Sequence, residues 1–174
     1  MLGLKTLGVA LIILGFGSCG LISARILENR VQQIRNIRLA MGFLDKEITY
    51  LHTPLTLALE RAAQSIPYPA SVLFSECAWS LQDRQGVTFS EAWRQSLDSL
   101  DNVSDLKKED LQLLQSVASQ LGTSGVDEHQ KFFRYMEEQL KIQEDKSRHE
   151  LESGRKIRAY GGFILGSTVV LLLI

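Results

Sequence analysis

TLGVALIILGFGSCGLISA, residues 6–24, runs for nineteen residues without a charge, and how it is read decides the fold. At a helical rise of roughly 1.5 Å per residue it reaches about 28 Å, close to the hydrocarbon thickness of a bilayer. A second uncharged run, AYGGFILGSTVVLLLI at 159–174, reaches about 24 Å by the same rise. Arg155, Lys156 and Arg158 precede it and can snorkel to the interface. The pattern predicts two transmembrane helices, 2–24 and 159–174, bracketing a polar helical domain at 25–158.

Charge partitions the same way. All twenty acidic residues and eighteen of the nineteen basic ones fall within 25–158, which therefore carries a net charge of −2. No basic excess is available to neutralise phosphates, which argues against a nucleic-acid module. The flanks set an orientation. Arg25, Arg30, Arg35 and Arg38 follow the first run with only Glu28 opposing them, and only Lys5 lies outside. Positive charge on the inner side predicts a cytoplasmic polar domain with both termini across the membrane. A cleaved signal peptide would want a basic leader and a shorter apolar run. Phe16-Gly17-Ser18-Cys19 faintly resembles a lipoprotein cleavage box, but cleavage there would put the arginines on the wrong side.

Three prolines and few β-branched runs favour helices in the polar segment. From Arg25 to Leu51, the residues Leu27, Val31, Ile34, Ile37, Met41, Leu44, Ile48 and Leu51 recur at steps of three and four. They form the seam of one long helix leaving the membrane. Thr53-Pro54 offers an N-cap and a first-turn proline for a second helix, with Leu55, Ala58, Leu59, Ala62, Ala63 and Ile66 on its apolar side. Pro67 and Pro69 stop it. A third helix is expected over 71–84, and Gly86 occupies a left-handed C-cap position. Thr88 and Glu91 make a capping box opening a fourth helix, after which 99–104 reads as a polar linker. Trp79 and Trp93 are expected as core anchors, since large aromatics dominate burial. A fifth helix is expected over 105–121. A final one, capped by Ser124 or Asp127, should carry Phe133, Met136 and Leu140 inward before a charged stretch at 143–155.

Chemistry is sparse. No GxxxxGK[ST] or GxGxxG cradle occurs, and His52, His129 and His149 lie far apart with no metal-ligand spacing. Cys19 and Cys77 are too few for a disulfide framework, and Cys77 on an apolar face reads as a buried thiol. Neither uncharged run holds an ionisable group between its ends other than a cysteine, which disfavours a membrane enzyme. A signalling module would want a sizeable domain across the membrane. The residues therefore point to binding without catalysis: no catalytic, cofactor-binding or metal-binding residue is expected, no cofactor, and no small-molecule substrate.

Several stretches together resemble the stage III sporulation protein AB family of endospore-forming bacteria. They are Glu47-Ile48-Thr49-Tyr50-Leu51-His52-Thr53-Pro54-Leu55 with Ala58-Leu59-Glu60-Arg61, then Glu91-Ala92-Trp93, then Leu121-Gly122-Thr123-Ser124 with Asp127 and Gln130, and the two uncharged ends. Pro54-Leu55 with Ala58-Leu59, and Gly86-Val87-Thr88-Phe89-Ser90-Glu91-Ala92, also resemble signatures of the cytoplasmic domains of type II secretion and type IV pilus platform proteins. The resemblance implies an all-α, membrane-anchored helical bundle: two long antiparallel helices continuous with the spans, and short helices at the tip. It implies a platform in the channel complex between mother cell and forespore, in the mother-cell-derived outer forespore membrane. The implied partners are the secretion-type ATPase stage III sporulation protein AA and other membrane subunits, beside the lipid bilayer. On that reading Glu60, Arg61, Arg84 and Arg94, polar positions on the short helices, are the candidate partner-binding residues.

Overall fold

The computed structural model describes the backbone of residues 2–83, 86–121 and 126–173, and the side chains of 24–83, 86–118 and 131–154. Among the described residues six helices follow in order: α1 (Leu2–Thr49), α2 (Leu55–Gln64), α3 (Ser71–Asp83), α4 (Phe89–Val103), α5 (Lys108–Leu121) and α6 (Val126–Leu173). No strand occurs among the described residues, so the fold class is all-α. The chain divides into two units, Arg30–Lys146, and Met1–Asn29 with Ser147–Ile174. The side chains of both uncharged runs lie outside the described residues, apart from Ala24. Among the described residues no helix is long and apolar enough to cross a membrane.

The Arg30–Lys146 unit holds one apolar core to which all six helices contribute. On α1 the seam buries Ile34, Ile37, Met41 and Leu44, as the three-and-four spacing predicts. The seam stops earlier than expected. Leu51 is 64% exposed, because α1 ends at Thr49 and His52 takes a left-handed φ of 51°. The turn closes by Leu51 N–H donating to the Lys46 carbonyl at 3.2 Å and Thr53 N–H to the Glu47 carbonyl at 2.9 Å. Thr53 is accordingly not the cap of α2. Its hydroxyl donates to Glu47 Oε2 at 2.7 Å, and Pro54 occupies the N-cap position without a side-chain bond.

On α3, Leu73, Phe74, Cys77, Ala78 and Ser80 face inward, which turns Trp79 outward at 51% exposure. At 100° per residue Trp79 sits off the 73–77–80 stripe, and helical geometry overrides the size of the side chain. The capping box of α4 is present, with Glu91 N–H donating to Thr88 Oγ1 at 3.3 Å and Thr88 N–H to Glu91 Oε2 at 3.0 Å. The Thr88 N–H bond first, and then the Thr88 hydroxyl donating to the same Oε2 at 2.9 Å, hold the Glu91 carboxyl below its ordinary range. The expected linker at 99–104 is helix as far as Val103. Leu100 is fully buried one turn beyond Leu97, while Asp98, Asp101 and Asn102 form the solvated side. A polar stretch was in fact one face of a helix.

Helix α5 begins at Lys108, three residues later than expected. Lys107 N–H donates to Asp110 Oδ2 at 2.8 Å, one half of a capping box. Phe133, Met136 and Leu140 are buried on α6 as predicted. The cap of α6 at Ser124 or Asp127 lies outside the described residues.

Two glycines give opposite expectations. Gly42 lies within α1 and a Cβ there would meet nothing within 4 Å. Gly42→Ala should stabilise the chain by about 0.5–1 kcal/mol through backbone entropy and helix propensity. Gly86 has φ +93° and equally open surroundings. Gly86→Ala should destabilise by about 1–2 kcal/mol, all of it torsional. Urea titrations of the two variants should therefore shift in opposite directions.

Candidate docking surface and the polar layer beneath it

The four candidate partner-binding residues do not share one environment. Glu60 of α2 is partly exposed and accepts a hydrogen bond from Gln82 Nε2 of α3. Arg61 is turned the other way: its Nη1 reaches Glu47 Oε2 of α1 at 2.9 Å, so it braces the α1–α2 turn. Arg94 lies on the exposed side of α4 near Glu91, and Arg84 lies outside the described residues. The structure thus brings Glu60 to the α2–α3 surface, gives Arg61 a bracing contact, and places Arg94 on a different helix.

Sequence reasoning missed a buried polar layer. Arg30, 2% exposed, donates from Nε to Asp110 Oδ2 at 2.7 Å and from Nη2 to Asp110 Oδ1 at 3.0 Å. The same Nη2 reaches Glu109 Oε1 at 3.0 Å. From α6, Gln143 Nε2 donates to Asp110 Oδ1 at 2.6 Å and Lys146 Nζ to Glu109 Oε2 at 2.7 Å. Asp105 N–H donates to Gln33 Oε1 at 2.9 Å, tying the α4–α5 connection to α1. Arg38 Nε donates to Glu144 Oε2 at 3.0 Å, joining α1 to α6 directly. The layer ties α1, α5 and α6 together.

Burial alone would raise the Asp110 carboxyl. The bonds from Arg30, Lys107 N–H and Gln143 reverse this and hold it below its ordinary range. Glu109 is lowered chiefly by the Lys146 hydrogen bond. A trace of the layer was in the sequence: Arg30 lies four residues before Ile34, on the seam, and Glu144 and Ser147 continue the α6 stripe at four and seven residues beyond Leu140. Arg30, one of the four arginines that flank the first uncharged run, is an internal ion-pair partner as well.

No catalytic geometry emerges among these residues. His52 and His149 are both exposed, on different elements, and no group of three or more His, Cys, Asp or Glu among the described residues is placed to hold a metal. Cys77 is free and buried. Burial pushes its thiol up to about 12, with a Ser96 hydrogen bond pulling weakly the other way. The folded chain should therefore show no Cys77 reaction with a maleimide at neutral pH, and full reaction in denaturant. Mass spectrometry of the modified peptide checks this. The side chain of Cys19 lies outside the described residues.

A family model for stage III sporulation protein AB matches residues 5–174. The stage III sporulation protein AB of Bacillus subtilis (strain 168) is 31% identical over 170 residues, spanning 98% of this chain and 99% of its own. A solved structure of a stage III sporulation protein AB is 30% identical and superposes with a TM-score of 0.67, covering 71% of this chain and 97% of its own.

Proposed function

The chain belongs to the stage III sporulation protein AB family, and on that premise we propose that it is a non-enzymatic membrane platform of the channel complex between mother cell and forespore. The observation that carries this reading is the pair of uncharged runs at 6–24 and 159–174 bracketing a polar, all-helical segment. In this reading the runs anchor α1 and α6 as antiparallel spans in the outer forespore membrane. The four short helices then present a cytoplasmic surface to the secretion-type ATPase of the complex and to its other membrane subunits.

The chemistry supports a scaffold. Polar side chains converge in the Arg30 layer, where they pair with one another beneath the surface.

Topology is the direct test. A single cysteine at exposed Ser75, with Cys19 and Cys77 replaced by alanine, should be labelled by a membrane-impermeant maleimide only after lysis. Labelling in intact cells would place the helical unit outside and end the reading. The ATPase should co-purify with the full-length chain, and charge reversal at Glu60 and Arg94 should weaken capture. Arg61 is left native in that experiment, because its loss would disturb the Glu47 turn.

A further inference from the structure

Within the Arg30–Lys146 unit, Leu39 on α1 and Tyr135 and Ile142 on α6 stand half exposed. A spacing of seven puts Tyr135 and Ile142 on one side of α6, two turns apart, with exposed Glu138 between them. Helical phase fixes where these sides point. On α6 the side toward α1 is marked by Glu144 and Glu137, which Arg38 reaches at 3.0 and 3.9 Å. At 100° per residue, Tyr135 and Ile142 lie about 150–170° around the helix from that side. Leu39 lies about 160° around α1 from Ile37, which faces the core. The two sides therefore face out of the unit and not toward each other.

The ion pairs also set relative height. Arg38 lies level with the middle of the 137–144 stretch, and Arg30 shares Glu109 with Lys146, so the two helices run antiparallel here. Counting one residue of α6 back for each residue of α1 forward, Leu39 comes level with the gap between Ile142 and Tyr135. Gly42, one turn after Leu39, has nothing within 4 Å of a Cβ position, so a neighbouring helix can come close.

Charge distinguishes the two sides. From Val31 to Leu44 α1 carries no acid, and Arg35, one turn before Leu39, is exposed. Glu138 and Asp145 flank Ile142 on α6. Asp145 also interacts within its own chain, so a cation there adds to an existing contact. Lys46 and Lys131 stand at the other end of the two stretches, so the attraction is confined to the Arg35 end.

We propose that a second copy of this chain covers these sides: Leu39 of one copy enters the gap between Tyr135 and Ile142 of the next, with Arg35 beside Asp145 and Glu138. Knob-into-gap packing of this kind is what exposed apolar groups at seven-residue spacing favour. The register rests on the membrane-anchored reading, because copies standing in one membrane keep equal heights. Like sides do not match. In one membrane, α1 beside α1 sets Arg35 against Arg35, and α6 beside α6 sets Glu138 against Glu138. The contact is therefore heterologous, and each copy accepts two neighbours in a ring or a row.

The test uses the full-length chain in isolated membranes, with Cys19 and Cys77 replaced by alanine. Leu39→Cys with Ile142→Cys, treated with a short bismaleimide, should give a ladder of dimers, trimers and higher species on a denaturing gel. Each single variant should stay monomeric. Adding Arg35→Glu should lower the yield about 2- to 5-fold, and adding Asp145→Lys to that should restore it. A dimer from either single variant, which means that like sides meet, or a monomer from the double variant, would overturn the proposal.

Extraction with alkaline carbonate separates this contact from the platform reading. A chain that stays in the membrane pellet but gives no ladder keeps the platform and loses the contact. A chain released by carbonate that still gives the ladder keeps the contact and loses the anchors.

Discussion

Replacing Arg30 with alanine should destabilise the Arg30–Lys146 unit by about 3–5 kcal/mol, the cost of stranding a buried charge. The cause is Asp110 rather than Arg30 itself. Its carboxylate, 3% exposed, would keep its Lys107 and Gln143 bonds but lose two charge-assisted ones. Exchanging both members for apolar residues of similar size, Arg30→Met with Asp110→Leu, should recover most of the loss, because the pair's desolvation cost disappears with the pair. Urea titration of the full-length chain in detergent, followed by far-UV circular dichroism, measures all three. Equal loss in the single and double variants would mean that packing, not charge, sets the cost.

The same network fixes an acid limit. Asp110 and Glu109 are both held below their ordinary values of 3.8 and 4.5. Groups lowered in the folded state contribute fully above their unfolded values, and the contribution is lost as pH falls through the folded ones. Stability should therefore be flat above about pH 5 for these two groups and should fall in more acid solution. In Arg30→Ala that acid dependence should shrink, since nothing equivalent then favours the ionised Asp110.

Trp93→Ala should cost about 3–5 kcal/mol, the range for emptying a large aromatic site. Trp93 is fully buried, meets Phe74 edge-on at 5.8 Å between centroids and Phe89 at 5.5 Å, and donates from Nε1 to the Leu114 carbonyl at 2.9 Å. It therefore joins α3, α4 and α5. Trp93→Phe keeps much of the ring volume and loses the donor, so about 1–2 kcal/mol is expected, the smaller part being the hydrogen bond. Trp79→Ala, by contrast, should move the urea midpoint little. A comparable loss at both tryptophans would contradict the outward placement of Trp79.

The contrast between these tryptophans shows what the sequence could express. Periodicity and local chemistry carried much of the fold. The Thr88 and Glu91 box, the left-handed Gly86, the inward faces of α2 and α6 and the buried Cys77 all depend on neighbours within a few residues. Three features did not. The solvated side of α4 resembled a linker because Ser99, Asp101 and Asn102 hide Leu100 among them. The size of Trp79 argues for burial, while its angle on α3 turns it outward. The Arg30 layer depends on a partner eighty residues away, a separation at which composition says nothing about pairing. The candidate surface was legible as a set of polar positions, but not which of them, Arg61 above all, were already held by Glu47.

Charges set into an otherwise greasy seam also govern how the unit bears load. If α1 were to slip lengthwise by one turn against its neighbours, about 5.4 Å, the guanidinium would leave its carboxylates, and such a displaced state is penalised far more than a slip between two plain apolar surfaces. A load along these helices would thus be shared between them without creep, as through a keyed shaft.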